Sequence, residues 1–100
     1  MTQRKAFTFL SSATASNASG SYLTDYRFED GSAKRTIQGT LTGGSAVALY
    51  TYVHPTDETT GVLVSSYTTS SFTAVIEGPV AKIKVIKTSA TGVADVQGLV

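Results

Sequence analysis

Chemistry would have to start from the single histidine, His54, with Asp57 three residues on and 28 serine and threonine hydroxyls along the chain. A hydroxyl, an imidazole and a carboxylate are the parts of a nucleophile–base–acid relay. The local pattern does not assemble one. His54 directly precedes Pro55 at the end of an apolar run, and no strand-to-helix nucleophile elbow is written anywhere in the chain. His54 is therefore expected on an exposed turn, and no enzymatic activity is expected. Asp25, Glu29 and Asp30 lie close in sequence, as do Asp57 and Glu58, and carboxylate oxygens suit calcium. The alternating donors before a glycine and the distal glutamate of a calcium loop are missing, so these read as solvated turn residues. With no cysteine, thiolate-held zinc and disulfides are both excluded. No metal or other cofactor is expected.

Phosphate cradles need glycines that open a helix, whereas Gly43-Gly44 opens a strand. Lys82, Lys84 and Lys87 could track a nucleic-acid backbone, but that segment offers no aromatic platform for bases. The formal net charge of +1 supplies no steering field either. No apolar run approaches the ~20 residues that cross a bilayer. Neither nucleic acid nor membrane is expected as a partner. What remains is contact surface. Five tyrosines in a chain without tryptophan suit an interface or a sugar site, since tyrosine joins an apolar body to a polar tip. Tyr22 and Tyr26 read as caps on a core face. Tyr50 and Tyr52 read as surface, because Val47, Leu49 and Val53 already supply a core set. The candidate interface residues are Phe7, Phe9, Tyr50, Tyr52, Lys82 and Lys84, the lysines being suited to an acidic patch on a protein.

The elements that position these residues are strands. Period-two alternation recurs along the chain and sustained 3.6-residue periodicity is absent. Phe7 and Phe9 alternate with Thr8 in a first short strand. Ser11 to Ser21 is small and polar, and reads as a flexible connection. Tyr22 to Phe28 forms a second strand ending at an Asp30-Gly31 turn. Thr36 to Thr42 follows, with Ile37 and Leu41 inward, and Gly43-Gly44 reads as a hairpin turn. Ala46 to Val53 is apolar on both faces, the mark of a central or covered strand. Val62 to Tyr67 and Phe72 to Ile76 flank a Thr/Ser turn. After Gly78-Pro79, Ala81, Ile83 and Val85 point in while Lys82 and Lys84 point out. Val93 to Val100 closes the chain with Ala94, Val96 and Val100 on one face. Seven to eight short antiparallel strands imply an all-β, jelly-roll-like sandwich. One hundred residues make one domain, 1–100, with 1–21 as an extended N-terminal arm. Met1 to Leu10 are expected to add a strand to a neighbouring subunit, leaving the isolated fold intact when removed.

The order of the second half carries a resemblance. A Gly43-Gly44 turn, a long apolar strand, a Thr/Asp/Gly loop and a Thr-rich strand lead to Gly78-Pro79-Val80-Ala81-Lys82-Ile83-Lys84-Val85, then a Thr-Gly turn and a last strand. From Ile37 to Val100 this resembles small β-sandwich virion proteins of tailed bacteriophages, above all capsid decoration (cement) proteins. Many of those carry a tryptophan in the central hairpin, and this chain has none. The resemblance implies a non-enzymatic structural protein on the virion capsid surface, present in the host cytoplasm during assembly. Its partners would be the major capsid protein, whose adjacent subunits it clamps, and itself, as a homo-oligomer such as a trimer. The different-class alternative is a carbohydrate-binding or adhesin-like tail or fibre module that uses the tyrosines.

Overall fold

The computed structural model describes residues 5–24, 34–57, 59 and 61–100. Eight strands follow one another: β1 (Ala6–Ala13), β2 (Ser19–Leu23), β3 (Lys34–Thr42), β4 (Val47–Tyr52), β5 (Val62–Tyr67), β6 (Ser71–Glu77), β7 (Lys82–Lys87) and β8 (Val93–Leu99). They form two four-stranded sheets, ordered β1-β8-β3-β6 and β2-β7-β4-β5, and every pairing is antiparallel. This is the strand order of a jelly roll, the expected all-β sandwich. Alternating residues fill the space between the sheets: Ile37 and Leu41 from β3, Val47 and Leu49 from β4, Ile83 and Val85 from β7, and Ala94 and Val96 from β8. The strand expected over Tyr22 to Phe28 begins earlier, at Ser19. It ends at Leu23, and the rest of the expected strand from Asp25, with Tyr26 and the Asp30-Gly31 turn, lies outside the described residues.

Only β4 and β5 are consecutive neighbours in one sheet. Gly43-Gly44 is thus not a hairpin turn but an arch that carries the chain from one sheet to the other. Both glycines have positive φ, 64° and 83°, which is what the sequence signalled. A tight turn has the same local chemistry whether its flanking strands pair with each other or face each other across a core. The arch packs on the β7–β8 turn. A Cβ at Gly92 would stand 1.9 Å from the Thr42 carbonyl oxygen, so only glycine fits there. Thr91 Oγ1 donates to the Gly44 carbonyl at 3.2 Å, and the Ala46 N–H donates to Ser89 Oγ at 3.1 Å. Beneath them Lys87 is fully buried, its Nζ donating to the carbonyls of Ser89 (2.6 Å) and Thr91 (2.9 Å).

Ala6–Ala13, within the segment expected as an extended arm, form a strand of this sandwich. β1 reaches into the stretch expected to be a flexible connection as far as Ala13 and pairs with β8 from Ala6–Leu99 to Ala13–Ala94. A register shift between Thr8 and Leu10 reverses the pleat, so the successive residues Phe9 and Leu10 both enter the core, 4% and 5% exposed. A second shift lies between Leu10 and Ala13, where Ser12 has φ of 48° and its N–H donates to Asp95 Oδ1 at 2.7 Å. Aromatic rings close both sides of the sandwich. Phe7 stands 4.9 Å from Phe9 and 5.0 Å from Tyr22 between β1 and β2, and Tyr67 stacks on Phe72 at 4.1 Å between β5 and β6.

Candidate functional site

The residues singled out for chemistry do not converge. His54 lies exposed in the turn after β4, where its carbonyl accepts from the Asp57 N–H. The Asp57 carboxylate accepts from the Thr59 N–H at 2.9 Å, an Asx-type turn that holds the loop. Among the described residues no three His, Asp or Glu side chains gather as metal ligands. Asp25, Glu29, Asp30 and Glu58 lie outside the described residues.

Three of the six candidate interface residues belong to the interior. Phe9 is a core residue for the pleat reversal just given. Tyr52 is 5% exposed and Lys82 only 2%, although both project from the outer face of the second sheet. The loop after β4 covers them. Lys82 Nζ stands 4.4 Å from the Tyr52 ring centroid and donates to the Asp57 carbonyl, and a Cβ at Gly61 would meet the same ring at 2.4 Å. Val53, expected in the core, is 76% exposed because the strand ends at Tyr52. Phe7 is half-buried against Phe9 and Tyr22. Tyr50 and Lys84 remain half-buried register partners on the outer face. With Lys82 and Lys87 both buried, the three lysines of β7 form no exposed basic stripe.

Two surfaces that sequence reasoning missed are better built. The first is the outer face of the β1-β8-β3-β6 sheet. Its register sets Ala6, Leu99, Thr36 and Val75 in one row across four strands and Thr8, Gln97, Gln38 and Thr73 in the next. Asp95, Thr40 and Ser71 make a third. Leu99 and Val75 are 52% and 51% exposed. Two contiguous depressions of about 540 and 330 Å³ run over these rows and share Gln38 and Gln97. The groove is poor in charge, its one carboxylate being Asp95, already held by Ser12. It displays amides and hydroxyls, each with donor and acceptor capacity, beside an apolar ledge.

The second surface is the β5 edge. Val62, Leu63 and Val64 are 67%, 50% and 45% exposed in succession, with Val53 just past the Thr51–Val62 register pair. Contiguous exposed apolar side chains of this kind mark interaction sites. Alternation alone could not reveal either surface, because both depend on which strands end up as neighbours.

No family model matches the chain and no curated protein sequence matches it. Solved structures do. The SPBc2 prophage-derived protein YomS superposes with a TM-score of 0.72 at 19% identity, over 96% of this chain and 90% of that one. A subunit of the disulfide-linked pili of Bacillus endospore appendages gives 0.54 at 14% identity, over 98% and 87%. The D114A mutant of the carbohydrate-binding module CBM29-2 gives 0.55 at 9% identity, over 98% and 83%. At these identities the likeness is one of fold, the β-sandwich.

Proposed function

We propose that this chain is a structural protein of a bacteriophage virion, a capsid decoration (cement) protein that binds the head and clamps adjacent major capsid subunits without catalysing a reaction. The observation that carries the reading is bivalency. A clamp needs more than one contact surface on a rigid body, one for the capsid and another for a further subunit, and this domain exposes apolar side chains at Val75 and Leu99 on one sheet and at Val53 and Val62–Val64 on the other. The prophage origin of YomS, whose fold matches over nearly the whole of both chains, supports the same reading. So does a charged fraction of 15%, against the usual quarter, since interface centres are depleted in charge.

The groove is assigned to the capsid, with Leu99 and Val75 as apolar anchors and Gln38 and Gln97 as hydrogen-bonding partners. Mass spectrometry of density-gradient-purified particles from the source culture should find the chain, and heads stripped of it should rebind it. Leu99→Lys should weaken rebinding at least about tenfold, as losing a central anchor does. Purified particles that lack the chain would end the proposal.

One observation favours a second reading, a carbohydrate-binding module of a tail or fibre. The Gln38–Gln97 pair, with Thr40, Thr73 and Asp95, presents neighbouring amides, hydroxyls and a carboxylate of the kind that engage sugar hydroxyls. The site would be this groove and not the tyrosines, since Tyr22, Tyr52 and Tyr67 are committed to packing. A glycan array on which binding is lost in Gln38→Ala/Gln97→Ala and kept in Tyr50→Ala would favour it. A silent array would remove it.

A further inference from the structure

The β5 edge differs from the other three edges of the sandwich. Sheet edges are ordinarily kept from pairing by charge, proline, shortness or bulges. β1 is shifted in register twice, β2 is five residues long and rich in serine and glycine, and β6 alternates in burial and ends on Glu77 beside Lys34. β5 carries neither charge nor proline. Val62 and Leu63 oppose Thr51 and Tyr50 and so lie on opposite faces of the strand. Val64 falls at the register shift between them and Ser65, so the one bulge on this edge displays another apolar side chain. A strand paired along both edges, as β4 is, gains cross-strand partners for the side chains on both its faces, yet β5 is paired along one.

We infer that β5 is completed by the β5 of a second copy, the two edges meeting antiparallel about a two-fold axis. The occupant follows from complementarity. Centred on Leu63, an antiparallel self-pair sets Leu63 against Leu63 and Val62 against Val64, so the exposed apolar side chains meet one another and no like charges do. Pairing it with β1, β2 or β6 of another copy is head-to-tail and does not close as a two-fold pair. The contact joins the two β2-β7-β4-β5 sheets edge to edge and leaves the groove of each copy accessible. One strand edge with Val53 beside it falls short of the ~1,600 Å² of a standard interface, so the pair should be weak and concentration-dependent. On a surface that holds many copies, weak pairing gains from high local concentration.

Native mass spectrometry and light scattering from micromolar to hundreds of micromolar protein test this. The wild type should shift from monomer to dimer across that range. Leu63→Lys and Val64→Lys should each raise the dissociation constant about tenfold or more, while Leu99→Lys leaves it unchanged. Hydrogen exchange should slow in Val62 to Tyr67 as the dimer forms. Circular dichroism should show each variant folded, because the substituted positions are exposed. A monomer at every concentration overturns the inference, as does an oligomer that survives both lysines or forms with no new protection in β5. The virion role fails separately: a chain missing from purified particles but dimeric through β5 would sink that role and leave this pairing standing.

Discussion

Phe9→Ala separates a fold that needs its first strand from one that merely carries it. An arm that pairs only with neighbouring subunits would lose assembly on this change and keep its stability. The structure requires the opposite. Phe9 is 4% exposed within the core cluster, its ring meets Phe7 at 4.9 Å with the planes 79° apart, and its backbone lies against Gly20 of β2. Truncating a buried phenylalanine to alanine costs about 3–5 kcal/mol, combining lost transfer energy with the cavity left behind. The edge-to-face contact with Phe7 contributes about 0.5–1.5 kcal/mol of that. The upper part of the range applies, because Phe9 is pinned by a register shift and Gly98, beside its ring, has no side chain to fill the void. A domain of this size loses about 4–8 °C of Tm per kcal/mol, so the midpoint should fall by at least about 16 °C. Urea unfolding followed by far-ultraviolet circular dichroism, with tyrosine fluorescence as a second probe, measures it in a chain that has no tryptophan. A loss below about 1 kcal/mol, far under the core-truncation range, would refute the placement of β1 in the sandwich.

Two further substitutions probe features with no exposed role. Lys87→Met keeps the length of the buried stem and deletes the donors to Ser89 and Thr91; because those residues sit near solvent, water recovers part of the loss, and about 1.5–3 kcal/mol of destabilisation is expected by urea titration. Lys84→Met at a half-buried position should cost less than Lys87→Met, and equal effects at the two lysines would contradict the burial of Lys87. Gly20→Ala would place a methyl 2.0 Å from the Phe9 carbonyl oxygen, an overlap that only backbone movement relieves. It should cost more than about 3 kcal/mol, seen as a loss of soluble folded protein, and wild-type stability would show that the β1–β2 approach is looser than described.

Much of the sandwich could be read from alternation. Ile37 and Leu41, or Ala94 and Val96, sit two or four residues apart, and each set faces the core as its spacing demands. The same rule counted from Ile83 through Val85 already places Lys87 inside. Grouping it with Lys82 and Lys84 by sequence proximity hid that. Other features depend on partners distant in the chain. Gly43 and Gly44 announce a turn but not whether β3 and β4 pair, and they do not. Lys82 points outward as its spacing says and is buried because the loop holding Asp57, 25 residues earlier, folds over it. The reversal between Phe9 and Leu10 follows from the register of β1 on β8, which no local pattern encodes. The groove likewise exists only once β8 lies between β1 and β3.

That β1 lies beside β8 also sets the order of events on the ribosome. The first strand has no sheet to join until the last has been synthesised, and the Val100 amide then fastens onto the Lys5 carbonyl at 2.9 Å. A chain cut short during translation leaves Phe9 and Leu10 stranded in water and forms neither the row that holds Leu99 nor the groove beside it. Quality control is thereby written into the topology: an incomplete copy lacks the outer face of the β1-β8-β3-β6 sheet, and with it the groove.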